Sequence, residues 1–203
     1  MILDRVAPGA TRSLSWEVAA LLLSVPASIL MNRSLGAEGR GLFSIVTLVP
    51  MTLITIGSCQ WNRLVTGCIT SGKTSPNEAW RRTLYYTAIL SAIVIPLGMV
   101  ACLLQLQLDW PGRILSATYM LNFPCAMMGS CLSAIFIGMG SIAGQYWMRL
   151  ALHASYLAII GVLFLGNWLS VPWLIATHFA IWMISLTVGM AKVPKLLTGD
   201  VSR

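Results

Sequence analysis

Apolar positions along this chain come in long unbroken blocks separated by short polar connectors, and six such blocks stand out, at residues 14–32, 42–62, 84–106, 114–139, 146–166 and 171–191. A helix rises about 1.5 Å per residue, so a block of roughly 20 residues matches the ~30 Å hydrocarbon layer of a bilayer. Runs such as "AALLLSV" and "LSAIVIPLGMVACLL" do not alternate apolar with polar residues. Transmembrane β-strands need that alternation, so a barrel is excluded and each block predicts a membrane-spanning helix. The fold class expected is all-α, a single polytopic bundle of about six transmembrane helices over residues 1–203.

The connectors predict where helices start and stop. In "LGAEGRGLFSIV", from Leu35, the glycines Gly36, Gly39 and Gly41 suit a hairpin between the first two helices, with Gly36 as C-cap and Glu38 and Arg40 solvated or paired at the outer face. Ser75, Pro76 and Glu78 form an S-P-x-E start that places the third helix about two turns ahead of its apolar block. Trp80, Arg81, Arg82, Tyr85 and Tyr86 then fall at headgroup level, as aromatic and basic anchors do. Pro26, Pro50, Pro96 and Pro124 lie inside the first four blocks and predict kinks, which suit a bundle bent around a cavity. Gly140 and Gly144 make a G-x-x-x-G at the junction of the fourth and fifth blocks, where the apolar run is interrupted, so dimerisation through it is not expected. The N-terminus has a basic leader, but Trp16 and Glu17 interrupt it and no A-x-A-like cleavage site follows. A retained first helix is the expectation.

Composition agrees with the pattern: 57% of residues are hydrophobic and 9% are charged, against about a quarter charged in a soluble domain. Charge then sets orientation. With six spans, one face receives Arg5, Arg12, Arg63, Lys73, Arg81, Arg82, Arg149, Lys192, Lys195 and Arg203, and the other only Arg33, Arg40 and Arg113. Basic residues near span ends stay on the cytoplasmic side, so both termini are expected in the cytoplasm, with the chain in the inner (cytoplasmic) membrane. The net charge of +7 reads as a topology signal and an attraction to anionic membrane lipids. A nucleic-acid partner is not expected, because a basic groove needs clustered charge and here it is dispersed over loops.

Candidate chemistry is sparse. Cys59, Cys68, Cys102, Cys125 and Cys131 form no C-x-x-C pair, which argues for packing rather than a disulfide framework or zinc. Glu17, Arg63 and Arg149 sit near span ends, where snorkelling to the interface accounts for them. His153 and His178 lie deeper without an acidic partner at similar depth, which favours neutral packing roles over a proton relay. No Asp or Glu occupies the middle of a span, and Ser130 and Ser133 have no His on their own helix, so no enzyme, catalytic residue, metal or cofactor is expected. The glycines of the first loop run G-x-x-G-x-G without a preceding strand, which removes a nucleotide site.

The segment "LGAEGRGLFSIVTLVPMTLITIGSCQWNRLV" resembles the first-loop and second-helix region of the polysaccharide and oligosaccharide flippases, the O-antigen-type branch of the multidrug/oligosaccharidyl-lipid/polysaccharide exporter superfamily. Gly36, Glu38, Gly39, Arg40, Gly41, Phe43 and Gly57 fill the places of that family's turn and helix. "FIGMGSIAGQYWMRLALHASYLAIIGVLFL" is similar to its fourth-to-fifth helix turn. The family has two six-helix lobes about a central cavity, and this chain resembles the N-terminal lobe alone. The resemblance implies translocation of a polyprenyl-diphosphate-linked oligosaccharide for cell-surface polysaccharide biosynthesis, as a half or truncated transporter. The second lobe would come from another chain or a second copy. Arg63 and Arg149 become the candidates for the diphosphate, and Gln60, Asn62, Asn122 and Gln145 for sugar hydroxyls. A drug or metabolite exporter of the same superfamily, and a membrane scaffold or accessory subunit that moves nothing, stay open as alternatives.

Overall fold

A computed structural model describes residues 3–197. Arg203 lies outside the described residues, as do the side chains of Arg5, Arg12, Lys192 and Lys195. The described chain is all-helical: α1 Leu3–Gly57, α2 Trp61–Thr70, α3 Pro76–Leu103, α4 Trp110–Tyr119, a 3-10 turn Met120–Asn122, α5 Phe123–Gly138, α6 Ile142–Leu165 and α7 Val171–Leu197. Among the described residues five helical stretches are long and apolar enough to cross a membrane: Ser15–Thr70, Pro76–Leu103, Trp110–Gly138, Ala143–Leu165 and Val171–Ala191.

The first of these, 56 residues long, is far longer than one crossing requires. Within α1 the helical geometry fails at one residue, Gly36, with φ 66° and ψ −174°, a region essentially reserved for glycine. The glycine-rich connector is therefore a single residue, and Gly39 and Gly41, expected to assist the reversal, belong to the helix that follows. Arg40 reaches back to donate to Asn32 Oδ1 across this point.

Contacts give the directions of the two arms. Before Gly36, Trp16 stacks on Tyr146 with ring centroids 5.6 Å apart, and Met31 Sδ accepts from Tyr156 Oη at 2.9 Å, so this arm runs along α6 in the same sense. After Gly36, Val46 O accepts from Ser116 Oγ at 2.9 Å and Ala134 O accepts from Thr66 Oγ1 at 3.2 Å, so the second arm and α2 run with α4 and α5. Helices α6 and α7 oppose each other, since Ser185 Oγ donates to Met148 O at 3.3 Å while Tyr156 stacks on His178 at 5.6 Å. Because Cys125 meets Met183 and Tyr119 meets His178, α7 runs with α4 and α5. The two arms of α1 are thus antiparallel.

Two expected spans are broken. The 42–62 block leaves helical geometry at Cys59 (φ 48°) and Gln60 (φ 56°), then resumes as α2 through Thr70. The 114–139 block divides at Met120–Asn122. Pro124 occupies the first turn of α5, where an N–H would have no partner within the helix and its absence costs nothing. It starts a helix instead of kinking one. Pro26 and Pro50 lie inside α1 and Pro96 inside α3. The third helix begins as its sequence predicts, with Ser75 Oγ accepting from Glu78 N at 3.3 Å. Gly140 turns the chain from α5 to α6 at φ 71°, and Gly144 packs against Phe136, so the G-x-x-x-G spacing serves a turn within the chain.

The interior holds Met120, Phe123, Met127 and Val46 in one cluster, Trp80, Leu132, Phe136 and Met148 in a second, and Met31, Ile160 and Leu174 in a third. Leu22, Leu48, Leu97 and Val162 are exposed on the outside, as side chains facing lipid must be, since hydrocarbon gives them nothing to escape from. Cys102 and Cys131 are buried in the first cluster, in packing roles.

Candidate functional site

Two neighbouring cavities stand out, one among α5, α6 and α7 and one beside the helix breaks. The larger, about 340 Å³, lies among α5, α6 and α7, with Ser130, Ser133, Gln145, Arg149 and His153 supplying its polar groups. The second, about 280 Å³, is bounded by Ser58, Gln60 and Asn62 from the α1–α2 break and by Tyr119 and Asn122 from the α4–α5 break. Ser130 and Trp182 belong to both walls. The cavities are therefore adjoining compartments of one groove.

The breaks explain why polar groups collect there. In lipid an interrupted helix leaves backbone groups without partners, and such backbone is tolerated where it is buried in protein or lines a wet cavity. At the α1–α2 break, Cys59 N donates to Ile56 O and Trp61 N to Ser58 O, at 3.0 and 2.9 Å, and Asn62 Oδ1 accepts from Arg63 N at 2.9 Å. Short local bonds replace the helical ladder. Two consecutive non-glycine residues in the left-handed region cost roughly 1–2 kcal/mol each, so the break is held by its surroundings.

Asn122 is 2% exposed, and its Oδ1 has no hydrogen-bond partner in the described protein. Leaving such an atom unpaired costs about 1–3 kcal/mol, and here it borders the second cavity. The arrangement is open to a donor from water or ligand.

Arg149 is the cation of the larger compartment. Its guanidinium pairs with Glu17 from the first arm of α1, and both side chains remain about half exposed, at 47% and 46%. The paired Glu17 is what the expectation of plain snorkelling lacked. Thr87 Oγ1 and Ser91 Oγ, on α3, are also buried without partners, and neither borders this groove.

Five of the six sequence candidates meet here: Gln145 and Arg149 in the larger compartment, Gln60, Asn62 and Asn122 in the smaller. Arg63 is exposed and lines neither. Sequence reasoning missed Trp182, because a tryptophan in an apolar helix reads as packing until the residue opposite it is known. That residue is Gly129, where a Cβ would fall 2.8 Å from Trp182 Cζ3. His178, by contrast, is enclosed by rings: Tyr156 stacked, Tyr119 edge-on and Phe43 tilted, with Tyr119 Oη 3.3 Å from its Nδ1. It lines neither compartment and stands behind Tyr119, a wall of the second.

Ser130 Oγ donates to Met127 O at 2.9 Å, and among the described residues no hydrogen bond joins His153 to Ser130 or Ser133. The groove thus presents one cation, several amides and hydroxyls, and an aromatic wall. That donor set suits an amphipathic anionic ligand bearing hydroxyls. Comparison with protein-family models, curated proteins and solved structures found no match to this chain.

Proposed function

We propose that the chain is one lobe of a transporter that moves a polyprenyl-diphosphate-linked oligosaccharide from the inner to the outer leaflet of the cytoplasmic membrane. The observation that carries this reading is the two-compartment groove, with Arg149 in one half and Gln60, Asn62 and Asn122 in the other. A diphosphate taken from water needs a matching cation and donors, and the attached sugars need amides and hydroxyls. The resemblance of "LGAEGRGLF" to the flippase turn supports the same reading.

On this proposal each arm of Ser15–Thr70 crosses once, giving six crossings with both termini in the cytoplasm and Arg149 at the cytoplasmic end of the groove. The facing lobe is a second chain or a second copy. The flippase-type assignment gives Arg149, rather than Arg63, the diphosphate.

The test is glycan export in cells that make the lipid-linked oligosaccharide, comparing the wild-type chain with Arg149→Ala at equal abundance in the membrane. Loss of a charge-assisted bond worth about 1.5–3 kcal/mol predicts about a tenfold or greater fall in export. Export unchanged in the variant overturns the assignment. Export that never depended on the chain favours an exporter of other solutes or an accessory subunit.

A further inference from the structure

We propose that Trp182 is a stacking platform for a sugar ring, so that the groove holds its ligand in one direction. The anionic end lies beside Arg149, a pyranose lies on the indole, and further hydroxyls reach toward Asn122. This deepens the reading above and rests on it for the identity of the anion, though not for the sugar.

The position of the indole is built by its neighbour. Gly129 presents no side chain to it, and a Cβ there would meet Trp182 Cζ3 at 2.8 Å and Cε3 at 3.0 Å. Part of the ring is thereby pressed onto α5. What remains is half-buried and forms the wall common to both compartments. Both cavities have mostly apolar walls with a few polar groups set among them, the lining expected of a site for a small ligand with both apolar and hydroxylated parts.

The chemistry around it selects the occupant. A pyranose has apolar C–H faces and a rim of hydroxyls, so its complement is a flat aromatic surface bordered by amides and hydroxyls. Ser130 adjoins the indole from both compartments, while Gln145 stands in one and Gln60 and Asn62 in the other. An acyl chain laid over the indole would leave the buried Asn122 Oδ1 without a donor. A hydroxylated ring supplies one.

The experiment uses the full chain in lipid nanodiscs with three probes: farnesyl β-glucoside, farnesol and farnesyl diphosphate. In wild-type protein labelled with 5-fluorotryptophan, the Trp182 resonance, identified by its disappearance in Trp182→Phe, is expected to move with the glucoside and not with farnesol. Trp182→Leu is expected to weaken glucoside binding about fivefold or more, as loss of an aromatic partner predicts, and Trp182→Phe to retain most of it. A Trp182 resonance that ignores the glucoside, or responds equally to farnesol, overturns the platform even if Trp182→Leu does not fold. Glucoside affinity unchanged in Trp182→Leu does the same. Farnesyl diphosphate reports separately on the transport reading: if it fails to bind while the glucoside response persists, the lipid-diphosphate assignment falls and the sugar platform stands.

Discussion

The chain leaves helical geometry at Gly36 and again at Cys59 and Gln60, and these two departures are made from opposite materials. At Gly36 a residue without a Cβ adopts φ 66° and ψ −174° with open space around it, and the helix resumes at once in the reverse direction. At Cys59 and Gln60 two residues with side chains are forced into the left-handed region at φ 48° and 56°, and the helix resumes as α2 in the direction it already had. The first departure needs nothing from its neighbours. The second is held by them, and it borders a cavity. Backbone strain of this kind clusters at binding sites, where the surroundings over-determine it.

Substitution breaks the comparison most strongly at Gly36. A Cβ there meets nothing within 4 Å, so the cost starts from conformation, about 1–3 kcal/mol for a region closed to L side chains. Gly36→Val is expected to lower the thermal midpoint in detergent and the yield of monodisperse protein. An unchanged midpoint would mean the reversal does not depend on that backbone state.

Cys59→Gly is expected to act in the other direction. Cys59 is exposed and absent from the groove walls, so removing its side chain relieves left-handed strain by up to about 1 kcal/mol and raises the midpoint. A fall instead would show that the two breaks are stabilised alike.

The smallest effect is expected from Glu17→Gln, which removes the partner of Arg149 on the arm before Gly36. Both ends of the pair are half exposed, so the loss of stability should stay below about 1 kcal/mol. If the pair only ties the first arm to α6, the midpoint shift should also fade as salt is raised. A loss of several kcal/mol would show that the reversal depends on this contact as much as on its glycine.

These contrasts also show which features sequence can reveal. The all-helical class, the reversal at Gly36 and the α3 start at Ser75 each rest on residues whose chemistry is local: an apolar run, a glycine, a cap with a proline after it. Gln60, Asn62, Gln145 and Arg149 were legible as polar groups near the edges of apolar blocks, and Asn122 as one inside a block. The break at Cys59 and Gln60 was not, because neither residue favours it and packing imposes it. Pro124 was legible as a disruption, but whether a proline kinks a helix or begins one depends on the turn before it. Trp182 meets Gly129 on another helix, a pairing no local pattern shows, and Arg63, exposed on α2, lines neither cavity.

The ring cluster at His178 draws Phe43 from α1, Tyr119 from α4, Tyr156 from α6 and its own centre from α7. Helix α7, which carries the imidazole, thereby fastens α1, α4 and α6 to one another through a single side chain.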